Sequence, residues 1–273
     1  RSFWILDDLG AFQQSKGVFE DSLMLFQPKK TYRLFGGSSE DPRPGLGQNP
    51  KTGVAIDYYL GSAQDSAMMT LKVIDASGKV IRTVTNKITD HFSSWPGGPR
   101  KPAVLSSKKG VNRFVWNFRR DDLPAVDKVF VYGDYLGGNS APGTYTLRLI
   151  LEKDSLETTV EILADPRIKA SPSDYVDQEK MALAIEEGIR EIHQSVSAMR
   201  SVHGQLKSYQ KLLKDHQEAA ILLDTAAAIV AKIEKWEHDL IQPKQKTFQD
   251  VINFNNQLNA EFMNLKEYVD SAD

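Results

Sequence analysis

Short runs of alternating apolar and polar residues dominate the chain from about residue 28 to residue 164. In one run Phe114, Trp116 and Phe118 alternate with Val115 and Asn117. This period of two places every second side chain on one buried face of a sheet. The pattern predicts eight strands, at Tyr32–Phe35, Val54–Leu60, Met69–Ile74, Val80–Thr85, Asn112–Phe118, Val129–Tyr132, Thr144–Leu151 and Glu157–Leu163.

Turn-forming residues separate these runs and favour antiparallel neighbours. Gly78 lies in a short loop at 75–79, where a tight hairpin needs a residue with positive φ. Two longer stretches, 36–52 and 88–110, are rich in Gly, Pro, Ser and Lys and are predicted to be surface loops. Strands of this number and spacing predict an immunoglobulin-like antiparallel β-sandwich over residues 28–165.

The hydrophobic period changes to that of a helix after Ser171. Apolar residues then recur every three or four positions, and Ser171 or Ser173 can cap the helix start. Further helices are expected over about 217–241 and near 258–269. The sequence therefore predicts an α+β protein of two domains, with an antiparallel three-helix bundle over 171–273. The Pro-containing link between them suggests that each domain folds alone.

Composition narrows the range of functions. The formal net charge is -2, without a long block of one sign, which argues against a nucleic-acid or polybasic membrane surface. No apolar run approaches the roughly 20 residues that span a bilayer. The chain has no cysteine, which excludes disulfides, thiolate metal sites and cysteine nucleophiles.

Several motifs resemble the C-terminal region of bacterial BNR-repeat proteins, the sortilin-like or sialidase-like β-propellers labelled glycosyl hydrolases. They are Arg1–Asp8 with Leu25–Pro28, Asn112–Asn117, Ala141–Leu147, Gln242–Lys246 and Asp270–Asp273. The segments around 112 and 141 are also similar to the Ig-like domain of flagellar hook-capping proteins. The resemblance implies that residues 1–27 are a propeller-exit strand and tether, with Phe3–Leu6 outside the sandwich core. It also implies a propeller upstream and an extracytoplasmic location, but the Asp-box motif of the blades is absent, so no catalytic residue carries over.

Titratable residues show no catalytic or metal-binding spacing. Glu234 and His238 are four residues apart, the spacing of an exposed helical pair. The acidic stretch of Glu186, Glu187 and Glu191 is expected at the helix surface. Asp121-Asp122 could suggest paired carboxylates or a calcium site, but adjacent acids in a loop lack the ligand spacing of calcium sites. We therefore expect no enzymatic activity, no cofactor and no metal.

Aromatic residues in loops are the strongest candidates for ligand contact. Trp95 lies in a loop rich in Pro and Gly, and Tyr132 and Tyr135 flank a second loop. Exposed rings of this kind stack on sugars, but the favoured interpretation of Trp95 is that it packs over an edge of the sandwich or against the propeller. Trp116 and Trp236 fall on apolar faces and are expected in the core. The leading hypothesis is a non-catalytic accessory module that orients the upstream propeller and binds a partner protein; the alternative is a carbohydrate-binding module.

Overall fold

The computed structural model describes residues 8–17, 19, 23–34, 50–88 and 92–271. Their strands are β1 (Leu23–Leu25), β2 (Thr31–Arg33), β3 (Val54–Leu60), β4 (Met69–Ile74), β5 (Val80–Thr85), β6 (Gly110–Trp116), β7 (Gly143–Leu151) and β8 (Asp154–Ala164). The α-helices are α1 (Gly10–Ser15), α2 (Pro172–Leu213), α3 (Ala220–Leu240) and α4 (Leu258–Ser271), with 3₁₀ turns at Gln217–Ala219 and Phe248–Ile252. The expected α+β chain, with sheets followed by helices, is confirmed.

The strands form two sheets. One has the order β1-β3-β6, and the other has the order β2-β8-β7-β4-β5. All neighbours are antiparallel except β2, which runs parallel to β8 and so departs from the purely antiparallel prediction. Strand β1 and helix α1 both lie within residues 1–27, the segment predicted to be a tether. Strand β1 is part of a sheet, because Leu23 pairs with Leu60 of β3. Phe3–Leu6 lie outside the described residues.

A single hydrophobic core joins the two sheets. Strand β3 alternates buried and half-buried residues along its whole length, as the period of two predicts. Buried residues from β4 and β7 meet those of β3, and the fully buried Trp116 packs edge-on against Tyr145 at 5.3 Å between ring centroids. Trp116 thus occupies the expected core position.

The exposed edge of β5 is blocked by loop residues. Asp121 donates its backbone N–H to the Ile81 carbonyl at 2.8 Å, and its carboxylate accepts from the Thr83 N–H at 2.8 Å. Leu105 donates its backbone N–H to the Thr85 carbonyl at 2.9 Å. Because an open edge can pair with another chain, these bonds protect the sheet. They also fix the loop that begins after β5.

Helix α2 begins with a capping box. The Ser171 hydroxyl accepts from the Asp174 N–H, and the Asp174 carboxylate accepts from the Ser171 N–H at 2.7 Å. The helix has 42 residues and is therefore about 63 Å long. Helix α3 contacts its C-terminal half through Arg200–Glu237, while α4 contacts its N-terminal half, where Phe262 packs against Gly188. The two shorter helices thus lie along different parts of α2 rather than sharing one bundle axis.

A second core crosses the predicted domain boundary. It joins a loop of the β region to the helices through Leu123, Val126, Val129, Val131, Tyr135, Ile185, Ile189, Ile192, Val196, Ile241, Met263 and Val269. The prediction of a strand at Val129–Tyr132 is wrong, because these residues form an irregular loop. Their apolar side chains are buried against α2 instead of against a sheet.

Buried ion pairs lie beside this second core. The Arg120 guanidinium donates to Glu186 from Nη2 at 2.7 Å and to Glu179 from Nη1 at 3.0 Å. The Glu186 carboxylate also accepts from the Gly138 N–H at 2.6 Å, and a Cβ on Gly138 would lie 2.5 Å from Arg120 Nη2. The expectation that Glu186 is on the surface is wrong: it is 3% exposed.

Neighbouring polar residues extend this network. Arg119 donates to Asp270 of α4 at 2.7 Å, and the same carboxylate accepts from the Asn139 N–H at 2.7 Å. Asp122 forms an ion pair with Arg82 at 2.8 Å. Of the two consecutive aspartates, Asp121 therefore hydrogen-bonds to the edge of β5 and Asp122 pairs with Arg82. The helices are therefore attached to the β region by apolar packing and by charge-assisted hydrogen bonds.

Candidate functional site

A surface groove of about 660 Å³ lies between the end of β5 and the loop that carries Trp95. Its volume is within the range of binding pockets in proteins. Most of its walls are apolar, and its lining comprises Thr85, Lys87, Ile88, Phe92, Ser93, Trp95, Pro99, Pro102, Ala103, Val104, Ala125 and Asp127. Trp95 is the one aromatic residue from the sequence-based candidates in this lining.

The Trp95 ring is held in a fixed orientation. Its Nε1 donates to the Val129 carbonyl at 2.8 Å, and the Gly98 N–H donates to the Trp95 carbonyl at 3.0 Å. A Cβ on Gly98 would lie 2.5 Å from the indole, so only glycine allows this close approach. Gly97 also cannot be replaced by a larger residue, because its φ is 70° and a Cβ there would lie 2.5 Å from Phe130. The ring is half-buried and contributes a rigid wall to the groove.

A basic groove adjoins the aromatic one. It has a volume of about 450 Å³ and shares Ala103 with its neighbour. Lys51, Arg82, Arg100 and Lys101 supply its cations, and Arg82 is already paired with Asp122. The other three are exposed and form no ion pair with any residue in the described ranges. The irregular segment 99–104 forms the ridge between the two grooves, with Pro99 and Pro102 on one side.

The two tyrosines from the sequence-based prediction lie elsewhere. Tyr132 is 40% exposed but packs against Phe248, with 4.8 Å between ring centroids and 50° between ring planes, and it does not line the groove. Tyr135 is 3% exposed and packs against His193 in the second core. The expectation that Tyr135 stacks on a ligand is therefore wrong, because its ring fills the space between a loop and α2.

Tyr135 and His193 each bury a polar atom that has no hydrogen-bond partner among the described residues, the Tyr135 hydroxyl and His193 Nε2. His193 Nδ1 is 2.7 Å from the Pro124 carbonyl, so that nitrogen carries the proton. Burial lowers the pKa of His193 and raises the pKa of Tyr135. Both side chains are therefore neutral components of the core at neutral pH.

The other titratable candidates form surface contacts. Glu234 contacts His203 of α2 at 3.1 Å and Lys207 at 3.8 Å, so its partners lie on the neighbouring helix and not at His238 of its own helix. Within the described ranges, no group of three or more His, Cys, Asp or Glu side chains is arranged to hold a metal ion. Nor does any helix in that part of the chain combine the length and apolarity needed to cross a membrane.

Sequence reasoning identified Trp95 but missed most of the groove around it. Phe92, Pro99, Pro102 and Val104 were assigned only to a long surface loop. Phe92 and Trp95 in one loop were a usable signal, because aromatic side chains line grooves that bind extended peptides. The division of this segment between two grooves, with Arg100 and Lys101 in one and Pro99 and Pro102 in the other, depends on contacts with Thr85 and Val129 that the sequence does not show.

The fold and the groove define an α+β protein with two sheets, several helices and an aromatic surface groove. No known protein family matches the sequence, and no curated protein matches it. Among solved structures, part of the chain is similar to the crystal structure of CopC from Methylosinus trichosporium OB3b. The identity is 12%, the match covers 55% of this chain and 99% of CopC, and the TM-score is 0.24. Similarity at this level carries no functional argument, so function is inferred from the groove itself.

Proposed function

We propose that this chain is a non-catalytic interaction module that binds an extended segment of a partner protein. The observation that carries the proposal is the 660 Å³ groove with Trp95 as its rigid wall. Aromatic side chains line grooves that bind extended peptides because each ring offers a large apolar contact area. The hydrogen bond from Trp95 to Val129 fixes the wall before the ligand arrives.

The adjoining basic groove indicates the charge of the partner segment. An extended chain that places an apolar side chain beside Trp95 can cross the ridge at Ala103 and reach Arg100 and Lys101. Acidic residues at that point would complement the exposed cations and raise the association rate. We therefore propose a partner segment with an apolar or proline-containing centre and an acidic flank.

A carbohydrate is the second candidate ligand, because the indole of Trp95 lines the groove and rings of this kind stack on sugars. Two features favour the peptide instead. The indole N–H is already bonded to Val129, and most of the lining side chains have no polar group for a sugar hydroxyl. A sugar site needs polar side chains that orient the ligand, in addition to a stacking ring.

The setting of the module follows from the resemblance to BNR-repeat proteins and belongs to the same proposal. An upstream β-propeller would be its neighbour, and the protein would act outside the cytoplasm. The two facing sheets with one core support assignment of the β region to the immunoglobulin-like sandwiches. The antiparallel contacts of α3 with α2 support a bundle-like helical region.

Binding can be tested with short synthetic peptides that carry an apolar, proline-containing centre and either a glutamate or a lysine flank. Val104 lines the groove at 45% exposure, and Val111 of β6 has a matching 43% exposure away from it. We expect Val104→Glu to weaken binding of the acidic peptide about tenfold or more, while Val111→Glu leaves it unchanged. Fluorescence anisotropy of the labelled peptide measures both.

The charge requirement has its own matched pair. Arg100→Glu with Lys101→Glu should abolish the preference for the glutamate flank, whereas Lys108→Glu with Lys109→Glu changes the net charge equally outside the groove. Soluble oligosaccharides are titrated in parallel. Binding of a sugar but no peptide, lost with Val104→Glu, would replace the proposal by the carbohydrate module. Equal effects of Val104→Glu and Val111→Glu would remove the groove from either function.

A further inference from the structure

We infer that the α2–α3 hairpin dimerises with the hairpin of a second copy of this chain. The two helices are antiparallel, because His203 contacts Glu234 while Arg200, earlier in α2, contacts Glu237, later in α3. Beyond the part of α2 that α4 covers, the hairpin has large apolar residues that nothing in the described ranges covers. We call the five of them that share one side of the hairpin the apolar face, and they are Val202, Tyr209, Leu222, Ile229 and Trp236.

Helical geometry places this set on one side of the hairpin. Leu222, Ile229 and Trp236 are spaced by seven residues, and so are Val202 and Tyr209. Each of the five immediately precedes a buried or half-buried residue of the hairpin, such as His203, which contacts Glu234, or Val230. A step of one residue turns about 100° around a helix. In antiparallel helices, equal steps toward each N-terminus lead to the same face, so the five residues share it.

The two faces of the hairpin differ in chemistry. The residues next to the apolar side chains on this face are small or uncharged and exposed: Ala198, Gln205 and Thr225. Lys232 and Asp239 lie at the border. The opposite side carries the ionic contacts, including Lys207 with Glu234 at 3.8 Å. An uncharged strip beside a charged one is the pattern of a helix pair that is half of a four-helix bundle.

A second copy is the occupant that this face fits best. A seven-residue apolar spacing is complementary to helices with the same spacing, and a second hairpin supplies two of them related by a two-fold axis. The five members of the apolar face are between 40% and 60% exposed. Together this is about two and a half whole side chains, roughly 500 Å² per copy at about 200 Å² each. A standard interface buries about 800 Å² per partner, so these five side chains supply most of that area and the exposed small residues between them add to it.

The expectation that Trp236 lies in the core of a single chain is thereby corrected. Trp236 is 54% exposed, because the narrow contact with α2 is filled by Ala226, Val230 and Ile233. A large exposed ring beside two aliphatic residues at heptad spacing is costly in water and favourable in an interface. In the dimer the Trp236 ring is covered by the partner copy.

The test is the oligomeric state of the full chain, measured by light scattering and sedimentation from about 1 to 100 µM. Thr225 lies between Leu222 and Ile229 on the apolar face, whereas Ala227 lies two residues away on the charged face, and both are exposed. We expect the unchanged chain to dimerise, Thr225→Glu to raise the dimer dissociation constant by about a hundredfold, and Ala227→Glu to leave it unchanged.

Circular dichroism of each variant checks that its helices are kept. Leu222→Glu is a second disrupting change, because Leu222 lies on the apolar face and is exposed in the single chain. Loss of the dimer with Thr225→Glu and Leu222→Glu, but not with Ala227→Glu, supports the inference. A chain that stays monomeric across the concentration range overturns it. So does a dimer that persists in both disrupting variants, or one that Ala227→Glu disrupts equally.

Discussion

Truncation of Glu186 is the most direct test of how the helices are held on the β region. Its carboxylate accepts from Arg120 Nη2 at 2.7 Å, from Arg120 Nε at 3.3 Å and from the Gly138 N–H at 2.6 Å. Glu186→Ala removes all three bonds. Arg120 is then left buried, with Glu179 as its remaining carboxylate.

The size of the effect follows from burial. Removing one partner of a buried ion pair costs about 3–5 kcal/mol, because the other charge stays desolvated. Glu179 still accepts from Arg120 and is itself partly exposed, so we expect the lower end, about 3 kcal/mol. Glu187, the next residue, is an exposed glutamate of the same helix, and Glu187→Ala should cost less than about 0.5 kcal/mol.

Urea unfolding followed by circular dichroism gives both free energies of unfolding. A double variant, Arg120→Met with Glu186→Leu, removes both charges and should recover part of the loss, because apolar residues can replace a buried pair. The reasoning is refuted if Glu186→Ala and Glu187→Ala differ by less than about 1 kcal/mol. A double variant less stable than the sum of the two single changes would also contradict it.

Two further predictions concern the second core. Burial lowers the pKa of His193 below its ordinary value of 6.5, so below about pH 6.5 the unfolded chain binds more protons than the folded one and the free energy of unfolding should fall. Urea unfolding at about pH 7 and pH 5 measures this fall, which should be smaller in His193→Gln than in the unchanged chain. The isolated segment 28–165 should expose the apolar side chains of Leu123, Val126 and Val129 and melt without cooperativity. A sharp calorimetric transition within a few degrees of that of the full chain would contradict this prediction and support the expectation that each domain folds alone.

The sequence predicted the regular parts of the fold well, because each such element has a local signal. Strand β3 alternates along all its residues, and α2 starts at the capping serine with an acidic residue in its first turn. Strand β1 has only three residues, too few to show a period, and it exists because it pairs with β3. Val129–Tyr132 has the composition of a strand, but its buried side chains pack on a helix from elsewhere in the chain.

Burial of charged residues was the least predictable feature. Nothing beside Glu186 distinguishes it from Glu187, and its partner Arg120 is 66 residues earlier. The apolar residues of α3 show the reverse error. Trp236 and Ile233 are both apolar and both appear at helical spacing, yet Ile233 is buried and Trp236 is not. Periodicity marks the apolar side of a helix, but the surface that the neighbouring element offers determines how much of that side is buried.

The segment from Pro124 to Val131 connects the groove to the helices. The Asp127 carbonyl accepts from Arg200 of α2 at 2.7 Å, and the Val129 carbonyl accepts from Trp95 at 2.8 Å. The Asp127 side chain also lines the groove. The position of the Trp95 wall therefore depends on the docking of α2. Under the proposed function, a ligand that fits only the docked arrangement stabilises that docking by its own binding free energy, so groove occupancy and attachment of the helices reinforce each other.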